Sequence, residues 1–268
     1  KIQDKGDMRK GADIEWLDEQ DHFLFVVPGG GIYEVNRKKE IVWSYETDSV
    51  SHDADRLPNG NTIFVNAWDK EGDNQVVEIA PDGKKVFEWK IADSGVSCAE
   101  KYTSCNRPKR RGGPPGDYTH VNAVQKLEDG SFSVSLRNLN TVVLIAKDLK
   151  IIERHQRIRL VHDPRLESGK LVAIARRSAL LVRDRKPNTT KADGSHYFKY
   201  SKKGYSFLRT NELISDGKIL LTDSTHLLIF DPSLKELIWK MKLNGFGHQK
   251  ENKNMPFLYK AAWIGAKK

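Results

Sequence analysis

The chain has 268 residues, of which 38% are apolar and 30% charged, a composition typical of a folded globular protein and not of a disordered or fibrous one. No apolar run approaches the roughly 18 residues that a transmembrane helix needs, so the sequence predicts no membrane span. Lys and Arg number 45 against 36 Asp and Glu, and the resulting net charge of +9 favours anionic partners. These include carboxylated or sulfated small molecules, acidic glycans, membrane surfaces and nucleic acids.

One structural unit recurs along the sequence. It opens with a polar or His-bearing segment and a Gly turn, continues through β-rich runs and closes on a run that often carries Trp. The copies begin, in chain order, near Ala12, Ser51, His120, His162 and Tyr205. Successive turn glycines after the second copy lie about 39 and 48 residues apart, the spacing of a four-stranded propeller blade. The runs are short, β-branched and bounded by Gly, Pro, Asn or Asp, as β-strands are.

The repeat predicts an all-β fold, a single β-propeller domain over residues 1–268 with five to six four-stranded blades. A sixth blade requires strands hidden in residues 187–204, and the tail 257–265 is expected to pair with N-terminal residues and close the ring. A β-sandwich is the alternative fold. Loop insertions are predicted at about 92–116 and 186–203, and both are candidates for the rim of a site at the central opening.

Histidines stand at the start of three repeats. In a propeller the first strand of each blade lines the central channel, so residues at its start converge from several blades. His52, His120 and His162 occupy such starts, and Arg209 lies eight residues before Gly217, as His52 lies before Gly60. These residues predict one polar, cationic pocket, although a histidine in a strand is more often structural.

Several motifs resemble the arylsulfotransferase-like β-propeller family. They are the segment from His52 to Thr62, Asp-Tyr-Thr-His-Val-Asn at 117–122, Ser-Leu-Arg-Asn at 135–138, Leu-Val-His-Asp at 160–163 and the terminal Tyr-Lys-Ala at 259–261. The resemblance covers most of the chain from about Asp13. It implies that His162 takes a sulfuryl group from an aryl sulfate and passes it to a phenol.

The same resemblance implies the remaining site residues. Arg137 would hold the sulfuryl oxygens, and His52 and His120 would line the pocket as further catalytic groups. The substrate-binding residues would be Tyr118, Asn122, Asn138 and Arg209. The expected substrate is an anionic small molecule or glycan, with no cofactor, no metal and no nucleic-acid partner. These roles agree with the chemistry of imidazole nucleophiles and of Arg beside developing negative charge.

Two other functions remain open at this point. A polysaccharide lyase or hydrolase could use His120, Arg137 and Tyr118 on an anionic glycan, and in one variant His52, His120 and His162 bind a divalent metal. A non-catalytic propeller could instead bind a partner through the basic loop 107–111. The chain is also expected to be secreted or periplasmic, because Cys98 and Cys105 lie close enough for a small-loop disulfide.

Overall fold

A computed structural model of the chain describes residues 13–17, 20–66, 74–94, 96, 119–167, 169–175, 179–184, 196–199, 208–233, 235–245 and 258–261. These residues form five four-stranded antiparallel sheets, the blades of a β-propeller, as the repeat predicted. Within those ranges the helical segments are 3-10 turns of three or four residues, and none is long enough to cross a membrane.

Each blade takes its four strands consecutively from the sequence. The strands are, for blade 1, β1 (Ile14–Leu17), β2 (His22–Val27), β3 (Gly31–Val35) and β4 (Ile41–Tyr45); for blade 2, β5 (Val50–Arg56), β6 (Thr62–Asn66), β7 (Asn74–Ile79) and β8 (Lys85–Lys90); for blade 3, β9 (Val121–Lys126), β10 (Phe132–Leu136), β11 (Thr141–Ile145) and β12 (Ile151–His155); for blade 4, β13 (His162–Glu167), β14 (Lys170–Ala175), β15 (Ala179–Asp184) and β16 (His196–Lys199); and for blade 5, β17 (Leu208–Leu213), β18 (Ile219–Asp223), β19 (His226–Asp231) and β20 (Glu236–Lys242).

The segment 186–203 was predicted as a loop insertion, and that prediction was wrong in part. Its middle forms β16, which pairs with β15 and completes blade 4. The hidden strand therefore belongs to a blade already counted, and the described residues give five blades. The end of β15 and the start of β16 lie at the channel end opposite the starts of the first strands, because strands alternate in direction across a blade.

The turn glycines act where the backbone needs a positive φ. Gly60, Gly130 and Gly217 join the first and second strands of their blades with φ of 84°, 81° and 70°. Glycine adopts this conformation without the steric cost that a Cβ brings. A positive-φ glycine at the same place in these three blades is one reason why the repeat could be read from the sequence.

Apolar side chains fill the space between successive blades. One cluster joins blades 1 and 2, and others join blades 2 and 3, 3 and 4, and 4 and 5. Trp89 of β8 is fully buried and meets Phe132 of blade 3 edge-on, with ring centroids 6.2 Å apart. Burial of such large rings supplies much of the stability of the junction between blades 2 and 3.

The junction between blade 5 and blade 1 differs from the other four. The described residues form no apolar cluster there, and Trp239 on β20 is 42% exposed. Residues 258–261 lie at this junction, where Leu258 N–H donates to the Ser224 carbonyl and Thr222 Oγ1 donates to the Tyr259 carbonyl at 2.7 Å. Lys260 pairs with Asp13 of blade 1, so the segment links the last blade to the first.

A row of aspartates ties the first strands together. Asp13 accepts a hydrogen bond from Ala54 N–H (3.4 Å) and Asp53 accepts one from Val124 N–H (2.7 Å). Asp163 accepts one from Asn211 N–H (2.6 Å). In each bond a backbone N–H of one blade donates to the carboxylate of the preceding blade. Without this acceptor the buried N–H would have no hydrogen-bond partner.

The row is interrupted between blades 3 and 4. Ala123 stands at the aspartate position of blade 3, and Pro164, which has no N–H, stands at the donor position of blade 4. The link moves along the strand, where Leu166 N–H donates to Gln125 Oε1 at 2.8 Å. Blade 3 thus lacks the carboxylate acceptor at the same place where blade 4 lacks the N–H donor. The neutral side-chain amide of Gln125 takes over the link.

Candidate functional site

The first strands carry a bulge at the same place in blades 2 to 5. Their pairing with the second strand shifts between Val50 and Ala54 in blade 2, and at the corresponding residues of the other three blades. Bulges redirect side chains and are frequent beside active sites. Since the first strands run in the same direction around the channel, all four bulges lie toward one end of it.

Four side chains occupy equivalent positions at these bulges. They are His52, Asn122, His162 and Arg209. Asn122 lies eight residues before Gly130, as His52 lies before Gly60. The expectation that His120 is the counterpart of His52 and His162 was therefore wrong. His120 precedes the strand by one residue and has a φ of 49°.

His52 and Arg209 contact the ring of Tyr259, and His120 lies beside His52. The His52 and His120 rings are 5.4 Å apart, and the His52 ring is stacked on Tyr259 at 5.8 Å and 14°. The Arg209 guanidinium lies 6.0 Å from the same ring. Burial raises the pKa of Tyr259 and Arg209 opposes this, so the hydroxyl stays protonated at neutral pH. These contacts gather three of the predicted site residues from blades 2, 3 and 5.

His162 begins β13 with a defined tautomer. The side chain is 4% exposed, and its Nδ1 lies 2.8 Å from the Leu160 carbonyl oxygen. A carbonyl oxygen only accepts hydrogen bonds, so Nδ1 carries the proton and the lone pair of the neutral ring is on Nε2. Leu160 and Asp163 have φ of 52° and 42°, unusual values that hold the ring between two left-handed residues.

Arg137 and Asn138 form a 3-10 turn between β10 and β11, at the same end of the channel as the bulges. Arg137 Nη1 donates to Asn138 Oδ1 at 3.3 Å, and Asn138 N–H donates to the Thr119 carbonyl at 2.9 Å. This turn therefore contacts the residue before His120. Asn138 is buried against the protein, where it supports Arg137.

Asn122 is used inside the fold. Its Oδ1 accepts from Ser135 Oγ at 2.5 Å and its Nδ2 donates to the Val161 carbonyl at 3.1 Å. The amide thus connects β10 to the residue before His162. This arrangement fits a residue that positions β13 better than one that contacts substrate.

Carboxyl groups and two cations fill the channel beside these residues. Lys260 contacts Asp13 and lies 3.8 Å from Asp53, and Arg165 Nη2 lies 3.3 Å from Asp163. Burial raises the pKa of Asp53 well above its usual range, and Asp13 and Asp55 add to this. Burial alone would lower the pKa of Lys260, but the surrounding carboxylates outweigh it and hold that pKa above its ordinary value.

The structure tests the metal variant of the site. Among the described residues, the group with three potential ligand atoms within 4.8 Å of one another is Asp13, Asp53 and Asp55, not the three histidines. The proposed three-histidine metal site is therefore not formed. Asp13 and Asp53 each accept a backbone hydrogen bond and lie within 4 Å of Lys260 Nζ, so the ammonium already balances their charge.

Some predicted features lie outside the described residues. They are Tyr118, Cys98, Cys105 and the basic loop 107–111. The sequence reasoning, in turn, missed the acidic residues of the channel. The alternation His-Asp-Ala-Asp at 52–55 and Asp-Ile-Glu at 13–15 was a usable signal, because alternate strand residues share one face.

The fold is similar to a streptogramin B lyase (10% identity, TM-score 0.56, covering 88% of this chain and 70% of that one). It is also similar to virginiamycin B lyase from Staphylococcus aureus (13%, 0.55, 90% and 71%) and to a Bacteroides caccae protein of unknown function (13%, 0.52, 81% and 70%). At these identities the likeness concerns the fold alone.

The sequence comparison is more specific. No curated protein sequence matches the chain. The arylsulfotransferase (ASST) family matches residues 10–153, more than half of the chain, and this range includes His52, His120 and Arg137. The motifs, the five-bladed propeller and this match together show that the chain belongs to the arylsulfotransferase (ASST) family.

Proposed function

We propose that this protein moves a sulfuryl group from an aryl sulfate to a phenol through a covalent intermediate on His162. The observation that carries the proposal is the hydrogen bond from His162 Nδ1–H to the Leu160 carbonyl in a chain of this family. This bond places the lone pair of the neutral ring on Nε2. Covalent catalysis by imidazole requires such a lone pair as the nucleophile.

The reaction then has two balanced steps. Nε2 attacks sulfur, an N–S bond forms, and the S–O bond to the aryl group breaks with release of a phenolate. In the second step the acceptor phenol oxygen attacks sulfur, the N–S bond breaks, and the acceptor proton passes to a base. His52 and His120, half-buried and 5.4 Å apart, are the proposed proton donor to the leaving phenolate and acceptor from the incoming phenol.

The cationic groups would stabilise the charge that develops on the sulfuryl oxygens. Arg137 is held by Asn138 at the channel end, and Arg209 lies over Tyr259. A guanidinium donates several hydrogen bonds in a fixed plane and stays charged at any working pH. The net charge of +9 would also favour the approach of an anionic donor.

The test is mass spectrometry after incubation with 4-nitrophenyl sulfate at mildly alkaline pH. We expect one SO₃ adduct on the peptide that contains His162, together with a stoichiometric burst of 4-nitrophenolate. His162→Asn should lose both. His226→Asn is the matched control, since His226 lies at the start of β19 and its Nδ1 is 2.7 Å from Thr225 Oγ1. Near-UV circular dichroism of both variants checks that they fold.

Two results would overturn the proposal. Phenol release without an adduct on the wild-type protein would mean direct transfer to the acceptor or to water. Neither adduct nor release, on a folded protein, would leave a binding propeller or a glycan enzyme. We also propose that the protein works outside the cytosol, and thiol titration of Cys98 and Cys105 before and after reduction tests the disulfide that this location favours.

A further inference from the structure

Asn140 lies where the turn of Arg137 meets the loop before His162. It ends the 3-10 turn 137–139 in a left-handed conformation, with φ of 55° and ψ of 37°, and is 7% exposed. Its backbone N–H donates to the Arg137 carbonyl at 3.1 Å, and its own carbonyl accepts from Ile158 N–H at 2.9 Å. The main chain of Asn140 therefore joins the two segments.

The side chain of Asn140 makes a third bond. Its Oδ1 accepts from Leu160 N–H at 2.8 Å. Leu160 is the residue whose carbonyl accepts from His162 Nδ1–H, also at 2.8 Å. Asn140 thus accepts a hydrogen bond from the N–H of Leu160, and the carbonyl of Leu160 accepts one from the His162 imidazole.

The conformation of Leu160 makes this bond consequential. Its φ of 52° is in the left-handed region, which a leucine adopts only when its surroundings impose it. Without an acceptor for its N–H, Leu160 is free to return to a right-handed or extended conformation. Such a change would turn its carbonyl away from Nδ1, and the imidazole would lose the bond that selects its tautomer.

From this geometry we infer that Asn140 is a positioning residue, which fixes the His162 tautomer through Leu160. The inference rests on the proposed role of His162 as nucleophile. Asn140 itself contacts neither the sulfuryl group nor the aryl ring in this scheme. Its effect is to keep the proton on Nδ1 and the lone pair on Nε2, since proton position on an imidazole follows its hydrogen-bond partner.

Two substitutions separate the side-chain bond from the backbone conformation. Asn140→Gly keeps the left-handed turn and removes the acceptor, whereas Asn140→Asp keeps both an acceptor oxygen and a residue that tolerates this conformation. Asp216→Gly is the matched control for a new glycine. Asp216 also has a left-handed φ of 62° in a 3-10 turn, but it is exposed on blade 5.

The first readout is ¹⁵N NMR of the His162 imidazole, which distinguishes the two tautomers without any substrate. We expect the Nδ1–H form in the wild-type protein, in Asn140→Asp and in Asp216→Gly, and a mixture of tautomers in Asn140→Gly. The second readout is the rate of adduct formation from 4-nitrophenyl sulfate. It should fall about tenfold to a hundredfold in Asn140→Gly, the range that small misplacements of a reacting group produce, and recover in Asn140→Asp.

The two readouts keep this inference separate from the proposed function. If the wild-type protein forms no adduct but Asn140→Gly still mixes the tautomers, the positioning role stands and sulfuryl transfer is wrong. If Asn140→Gly retains the wild-type tautomer and the wild-type rate, Asn140 does not position His162. A loss of rate in Asn140→Gly with an unchanged tautomer would also overturn the inference.

Discussion

Lys260 stabilises the ring through buried ion pairs, and Lys260→Met tests how much. The side chain is 8% exposed and contacts Asp13, which is 2% exposed, with Asp53 at 3.8 Å. Met keeps the length of the alkyl chain but leaves the carboxylates without their cation. Removing one partner of a buried pair costs about 3–5 kcal/mol because the other charge remains buried and uncompensated. We expect a loss of that size in the free energy of unfolding at pH 8.

Lys150→Met is the matched control. Lys150 Nζ lies 2.7 Å from Asp148 Oδ2, but the two side chains are 80% and 55% exposed. An exposed pair contributes about 0–1 kcal/mol however short its distance. The comparison therefore separates burial from geometry, because each substitution replaces one ion-paired lysine by Met, and the pairs lost are buried in one variant and exposed in the other.

The pH dependence gives a second check on the same variant. The raised pKa of Lys260 means that its contribution is fully present below the unfolded lysine pKa, so it does not vary between pH 5 and 8 in the wild-type protein. In Lys260→Met the buried carboxyls can take up protons as the pH falls, so the loss should be smaller at pH 5 than at pH 8.

The assay is urea unfolding at both pH values, followed by tryptophan fluorescence. A loss in Lys260→Met at pH 8 no greater than that in Lys150→Met would refute the reasoning. So would a loss that grows as the pH falls.

Two other predictions concern stability. Burial raises the pKa of Glu15 to about 8, with repulsion from Asp55 and Asp13 adding and Lys260 opposing. The folded protein thus holds a proton that the unfolded chain releases above about pH 4.5, and stability should fall as the pH rises toward 8, by at most about 1.4 kcal/mol per unit. Glu15→Gln, which keeps an acceptor for Arg56 N–H, should flatten that slope in urea titrations from pH 5 to 8, and an unchanged slope would contradict the assignment. Trp89→Ala should cost about 3–5 kcal/mol, because the ring is fully buried, whereas Trp239→Ala on the exposed β20 should cost under about 1 kcal/mol by thermal unfolding. Equal losses would show that Trp239 is covered in solution.

The strands could be predicted because each unit repeats the same local chemistry. An opening polar segment, a glycine turn, two β-branched runs and a closing run indicate four strands wherever they recur. The bounds of β2 and β11 agree with these sequence patterns. The strand β16 was missed because residues 186–203 are polar and rich in Lys, and a strand at the outer edge of a blade needs little apolar pattern.

The site was harder to predict than the fold. His120 was predicted as the counterpart of His52 because it is a histidine at a repeat start. The residue eight positions before Gly130 is instead Asn122, and the bulge confirms Asn122 as the counterpart of His52. The role of Asn140 could not be read from the sequence at all. It depends on the left-handed turns at Asn140 and Leu160, which lie 20 residues apart and meet only in the folded chain.

The interrupted aspartate row has a consequence for how this sequence can change. An aspartate at position 123 would be a buried carboxylate facing Pro164, with no N–H to accept from, and a non-proline residue at position 164 would bury an N–H facing Ala123. Either change alone is costly, whereas both together restore the link seen between the other blades. The two positions are therefore interdependent, and they lie in the pair of blades that carries Arg137, Asn140 and His162. The existing link there is an uncharged amide, whereas the links between blades 1 and 2, 2 and 3, and 4 and 5 each use a carboxylate, so the junction that joins the blades of Arg137 and His162 is held without a buried charge in that link.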